Sequence, residues 1–283
     1  MTDKLAAYLD RIGLGAAASR DAQGLARLQQ AHRQAIPFEN LDIMLGRGIS
    51  LDEDRVFDKL ITNRRGGYCF EQNTLFARML AALGFANRPL LARVRLFLPD
   101  GYVPPRTHVL LLVDLDGEHW IADAGFGGSF IPPMKLEHGY TARTADGVGH
   151  RLTRQPGEGR LDGDWLLERA GPPTATDGRA APHEDWQPQY TFELAEVAPE
   201  DLEMGNHWTS TRPGTRFTTL HVASIALSQG FASLNDRKLT VFEGGETTVR
   251  ELTDEGEFRK TLRELFRIRL SETEVSALRL FSD

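Results

Sequence analysis

Apolar positions fall on helical stripes in the first third of the chain and on strand-like runs after it. Leu25, Leu28 and Ala31 share one face behind Asp21, a side chain suited to cap a helix start, and Pro37 lies beyond the end. Val56, Phe57, Leu60 and Ile61 predict a second helix over residues 54–61, which Arg64-Arg65-Gly66-Gly67 breaks. A third starts near Cys69, turns Leu75, Phe76, Met79, Leu80 and Leu83 inward, and stops at Gly84.

The pattern changes after Pro89. Residues 90–98 are strand-like, and residues 107–115 form the mostly apolar run of a buried strand. Asp116-Gly117 is a strong hairpin signal, and residues 119–123 return. Residues 140–189, rich in Gly, Pro and charge, predict short strands and long loops. Tyr190, Phe192 and Leu194 alternate as a strand. A hairpin is expected around Gly244-Gly245, followed by two helices with capping-box spacings, Asp254 with Glu257 and Ser271 with Glu274.

At 283 residues the size prior favours about two units. The content of 41% hydrophobic and 26% charged residues is that of an ordinary globular protein. A net charge of -7 argues against wholesale binding to nucleic acid or an anionic membrane, yet leaves room for a local basic pocket for a phosphorylated cofactor. No apolar run approaches the ~20 residues of a membrane span. The start of the chain lacks the pattern of a secretory signal, and one cysteine cannot form an internal disulfide. A cytoplasmic protein is expected.

That single cysteine is the candidate nucleophile. Cys69 follows Gly66-Gly67 near a helix start, where free N–H groups and the positive end of the dipole favour a thiolate. The alternative is a buried structural thiol, the common state of a free cysteine. A thiol nucleophile needs an imidazole, and the imidazole needs an orienting partner. If Asp116-Gly117 closes a hairpin, facing positions sum to 233: Leu110 faces Asp123 and His108 faces Gly125. His108 and Asp123 are then diagonal neighbours on one face, within side-chain reach. A structural His–Asp pair pinning the hairpin is the competing reading. His119, His138, His150 and His183 fall in loop or edge contexts and are expected to be solvated. For His32, His207 and His221 no spacing implies an acidic partner.

Several separated blocks carry a family resemblance. They are Tyr8-Leu9-Asp10-Arg11-Ile12-Gly13, Ile36-Pro37-Phe38-Glu39-Asn40-Leu41 and Arg65-Gly66-Gly67-Tyr68-Cys69-Phe70-Glu71-Gln72-Asn73. Thr107-His108-Val109, Asp123-Ala124-Gly125-Phe126-Gly127, and Asn206-His207-Trp208 with Ser210-Thr211 and Phe217 follow in order. Over nearly its whole length the chain resembles the prokaryotic arylamine N-acetyltransferases. The resemblance implies an α+β fold with a cysteine-protease-like Cys-His-Asp core. Its parts are an N-terminal helical bundle over 1–86, a central β-barrel over 87–190 and a C-terminal α/β lid over 191–283. Cys69, His108 and Asp123 fall on the family's catalytic triad. Acetyl-CoA is the implied co-substrate, with no tightly bound cofactor and no metal. The implied acceptor is a small aromatic amine or hydrazine, and the implied assembly a monomer or homodimer.

The resemblance also points to Gly127 and Gly128 as a backbone nest near the CoA pyrophosphate, although Gly125-Phe126-Gly127-Gly128 is also what a tight turn after a strand looks like. Phe38, Phe126 and Phe217 are expected as an apolar wall for the aromatic ring, and Thr209 and Ser210 as contacts to the CoA chain. Residues 147–185 diverge from the family, so no functional residue is carried over from them. A transglutaminase-like cysteine hydrolase, an amide synthase acting on a biosynthetic thioester, and a non-catalytic CoA-binding module are the competing functions.

Overall fold

The computed structural model describes residues 2–16, 18–99, 101–157, 159–181 and 185–281. His183 lies outside them. Helices dominate the first third. Helix α1 (Thr2–Arg11) precedes α2 (Ala22–Ala35), whose start is capped by Asp21 accepting from the Gly24 N–H at 2.7 Å. A two-residue strand β1 (Phe38–Glu39) and short helices α3 (Leu41–Met44) and α4 (Glu53–Phe57) follow. The helix expected over 54–61 continues from α4 only as a wider π turn, Asp58–Thr62, that still buries Leu60 and Ile61. Helix α5 (Cys69–Ala82) begins at the cysteine and gives way at Leu83 and Gly84, as the sequence indicates. Leu25, Leu28, Leu60, Phe76, Met79 and Leu80 close the core between these helices.

Strands β2 (Ala86–Val94), β3 (His108–Leu115), β4 (Glu118–Ala122), β5 (Met134–Lys135), β6 (Tyr140–Arg143), β7 (Gly149–Arg154), β8 (Trp165–Ala170) and β9 (Gln187–Phe192) form one eight-stranded antiparallel sheet. Its order is β5-β4-β3-β2-β9-β8-β7-β6. The sheet curls almost shut: Trp120 near one edge meets Tyr140 at the other, ring centroids 5.7 Å apart. The strand expected over 90–98 begins earlier and ends at Val94, leaving Leu96 and Leu98 to a loop. Inside lie Leu90, Leu110, Ile121, Leu152, Leu167 and Phe192.

Helix α6 (Pro199–Thr211) and the short α7 (Arg216–Thr219) lead into β10 (Val222–Leu227), β11 (Gly230–Asn235), β12 (Lys238–Glu243) and β13 (Glu246–Glu251). With β1 these make a five-stranded sheet, so Phe38–Glu39 from early in the chain extends the late sheet. Helices α8 (Glu255–Glu264) and α9 (Glu272–Ala277) carry the expected Asp254 and Ser271 caps and cover its apolar face. Helix α6 was invisible to periodicity because it buries only Asn206, Thr209 and Ser210, none of them apolar. Phe38, Tyr68, Cys69, Phe70, Val109 and Val222 form a further apolar cluster where the three regions meet.

Candidate active site

The β3–β4 hairpin has the register read from the sequence: Leu115 pairs Glu118, Val113 pairs Trp120 and Leu111 pairs Ala122. Asp116 and Gly117 both take positive φ, 54° and 86°, as a two-residue turn of this hand requires. The ladder ends at Leu111↔Ala122, and His108 and Asp123 emerge just past it. His108 Nε2 lies 2.6 Å from Asp123 Oδ2, with both side chains buried. The Phe126 and Tyr190 rings flank the imidazole, each with its centroid 5.2 Å away.

Cys69 sits at the first turn of α5, its Sγ 3.8 Å from the Thr107 carbonyl oxygen. The turn before it is held by one ion network, in which Asp42 joins Arg65 to Lys59. Glu39 accepts from Arg65 Nε at 2.9 Å and from the Gly66 N–H at 3.1 Å. Glu71 accepts from the Tyr68 N–H at 3.0 Å and from Lys59 at 2.7 Å. Gly125 permits the close approach of hairpin and helix, since a Cβ there would lie 2.8 Å from Cys69 Cα and 2.6 Å from Asn73 Nδ2.

Asn73, one turn along α5, fixes the carboxylate. It donates to Asp123 Oδ1 at 3.0 Å and to the Val109 carbonyl at 2.7 Å, and accepts from the Ala124 N–H at 3.0 Å. Gln29 holds the Asp123 backbone, accepting its N–H at 2.8 Å. Neither was singled out from the sequence. Asn73 stands four residues after the cysteine, on the same helix face, which was the available signal.

Burial alone would push the Asp123 carboxyl up. The His108 charge and hydrogen bonds from His108, Asn73 and the Gly125 N–H hold it below the usual carboxylate range. The cysteine behaves oppositely. Burial first, and then the Asp123 charge, push the lone thiol up, against backbone N–H groups of Phe70, Val109 and Cys69 that pull it down. Burial at this depth thus opposes the thiolate that the helix start favours.

Cys69 and His108 open onto one cleft of about 480 Å³. Phe38, Phe126 and Phe217 all line it, as do Gly127 and Thr209. Gly128 and Ser210 do not. A Cβ on Gly128 would meet the Phe126 ring, and the Ser210 hydroxyl donates to the Asn206 carbonyl at 2.7 Å within α6. Arg179, Trp208, Arg212 and Arg216 also line the cleft, and none was assigned from the sequence. Arg179 lies in the divergent stretch from which nothing was carried over. Among the described residues no cluster of metal-ligating side chains occurs, and no helix is long and apolar enough to cross a membrane.

Other histidines depart from expectation. His150 is fully buried, not solvated, because β7 and β8 enclose it. His32 is buried between the Tyr8 hydroxyl at 3.0 Å and Gln72 Oε1 at 2.7 Å. His221 does have an acidic partner, with Nδ1 2.9 Å from Asp236 Oδ1, brought by β-pairing from 15 residues away. His119 and His138 are exposed, as read.

This geometry, a lone cysteine and a His–Asp pair opening on one apolar cleft, defines a candidate acyl-transfer site, and a family model described as N-acetyltransferase matches residues 21–275. An arylamine N-acetyltransferase of Escherichia coli (strain K12) is 38% identical over 269 residues, covering 94% of this chain and 89% of that protein. The solved structure of the Salmonella typhimurium arylamine N-acetyltransferase superposes with a TM-score of 0.87 at 35% identity, covering 98% of each chain. That of the Mycobacterium marinum enzyme in complex with CoA gives 0.84 at 32% identity, covering 97% of each. The chain belongs to the arylamine N-acetyltransferase family.

Proposed function

We propose that this enzyme carries an acetyl group from acetyl-CoA, through a thioester on Cys69, to the nitrogen of an arylamine or arylhydrazine. One observation supports the catalytic assignment above the others: His108, held 2.6 Å from the buried Asp123, shares a cleft with the only cysteine. In the first half-reaction the Cys69 proton passes to His108 and the sulfur attacks the thioester carbon. The bond to the CoA sulfur breaks, and His108 returns the proton to that leaving sulfur. One thioester replaces another, so the exchange is close to balanced.

In the second half-reaction the amine nitrogen attacks the acetyl carbon and gives its proton to His108, which returns it to the departing Cys69 sulfur. Asp123 stays ionised throughout, orients His108 and stabilises the imidazolium. Backbone N–H groups around Cys69 receive the oxyanion. Phe38, Phe126 and Phe217 form the wall against which the acceptor ring packs. Gly127 and Thr209 face the donor, with Gly128 and Ser210 shaping the wall from behind. Acetyl-CoA acts as a co-substrate that leaves as CoA at the end of the first half-reaction.

Steady-state kinetics test the order of events. Varying acetyl-CoA at several fixed arylamine concentrations should give parallel double-reciprocal lines. Intersecting lines would indicate direct transfer in a ternary complex and remove the acetyl-cysteine from the route.

A further inference from the structure

We infer that Arg179, Arg212 and Arg216 are the donor-specificity residues, taking the phosphate groups of acetyl-CoA at the mouth of the cleft; this rests on the acetyl-CoA reading above. A CoA thioester is neutral at its reacting end and multiply anionic at the other. If the thioester descends to a buried sulfur, the phosphates must stay where charge is hydrated or paired. The cleft offers one such place.

All three arginines line the cleft that holds Cys69, in a chain whose net charge is -7. Arg179 and Arg216 converge on one carboxylate. Asp177, with 1% of its surface exposed, lies 2.8 Å from Arg179 Nη2 and 3.4 Å from Arg216 Nη2. Asn235 also accepts from Arg216 through its side-chain oxygen. The short segment bearing Asp177 is strapped on both sides: its N–H donates to the Gly128 carbonyl at 2.9 Å, and Asn235 Nδ2 donates to its carbonyl at 3.0 Å. Arg212 is held differently, stacked 4.1 Å over the Trp208 ring, and makes no ion pair among the described residues.

Two of these three cations contact a single buried anion, which leaves the group with a local positive excess. Asp236 also faces Arg216, but it is engaged by His221, and the excess stays positive when it is counted. The Arg216 Nε–H is buried without a partner. Burying Asp177 to hold two arginines rarely stabilises a fold more than apolar packing does. What such a carboxylate supplies is orientation: two guanidinium groups fixed in advance along the cleft, with the N–H groups not spent on Asp177 and Asn235 left for charge-assisted contact with phosphate oxygens. Asp177 is thus a positioning residue for the two arginines.

The test compares two acetyl donors on the intact enzyme, acetyl-CoA and the phosphate-free p-nitrophenyl acetate. Arg179→Ala and Arg216→Ala should raise KM for acetyl-CoA about tenfold or more, equivalent to the loss of one charge-assisted contact, with little change in kcat. The ratio of kcat/KM for acetyl-CoA to that for p-nitrophenyl acetate should fall by a similar factor. Arg179→Lys should recover part of it, and Asp177→Asn should lower the same ratio while weakening the salt dependence of KM. If both donors lose activity together, or the ratio does not move, the rim is structural and the inference fails. A wild-type enzyme that uses p-nitrophenyl acetate but not acetyl-CoA would instead sink the functional reading on which it rests.

Discussion

Removing His108 gives the sharpest consequence at the scale of single residues. Burial and the Asp123 charge push the Cys69 thiol up, and on the proposed mechanism an imidazolium at His108 offsets them. In His108→Gln, iodoacetamide labelling of Cys69 at pH 7 should fall to near background and return only in strong alkali. Labelling as fast as in the wild type would show that the helix start ionises the sulfur unaided. Asp123→Asn should lower kcat by about 10³-fold or more, since the amide holds the wrong tautomer. Asn73→Ala, which leaves Asp123 Oδ1 held by the Gly125 N–H alone, should cost less in kcat while destabilising the fold by about 1–3 kcal/mol in urea titrations. The pair was legible because His108 and Asp123 are polar residues in otherwise apolar strand-like runs, linked by a turn whose geometry fixes parity. Asn73, Gln29 and Arg179 were not, because nothing local in their sequence setting shows that a distant carboxylate or cleft is near.

Among the elements, the hairpin and the helix start make separable predictions about two glycines. Gly117→Ala forces a residue with Cβ to hold φ near 86° and should destabilise by about 1 kcal/mol, with kcat unchanged. Gly125→Ala should cost both stability and activity. Its new Cβ would press on the Cys69 main chain, so the urea midpoint should fall and acetyl transfer should collapse even under conditions where circular dichroism shows the variant folded. Equal activity loss in both variants would contradict the claim that Gly125 sets the approach of the two elements. Elements with a one-sided apolar stripe or an explicit cap, such as α2, α5, α8 and α9, were legible in the sequence. The strand pairing of β1 with β10 was not, because Phe38 and Ser224 are brought together only by tertiary structure. Nor was the Val94 end of β2, since apolar Leu96 and Leu98 line a cleft rather than a sheet.

For the molecule as a whole, buried neutral histidines set a pH limit on stability. Burial pushes His32 down to about 3, opposed by its bond to Gln72, and pushes His150 down to about 3. In the unfolded chain both titrate near ~6.5. Stability is therefore full above that value and is lost as pH falls toward about 3, because the unfolded chain then binds protons that the fold refuses. Asp123 adds to the loss below ~4, its carboxyl being held low in the fold. Urea midpoints should decline steadily between pH 6.5 and pH 4, as estimated from these ordinary values, and the slope should be shallower in His32→Gln. A midpoint independent of pH over that range would refute it. The same burial serves the site, because the N-terminal helices, the curled sheet and the α6–α7 segment each contribute a wall to the cleft around Cys69.

Intact mass of the purified enzyme after brief mixing with acetyl-CoA probes that chemistry most directly. One acetyl group should appear, map to Cys69, and vanish on adding an arylamine as the acetylated amine forms. An unmodified mass at full turnover, or an acetyl group that persists in the presence of the amine, would mean that Cys69 does not carry the transfer.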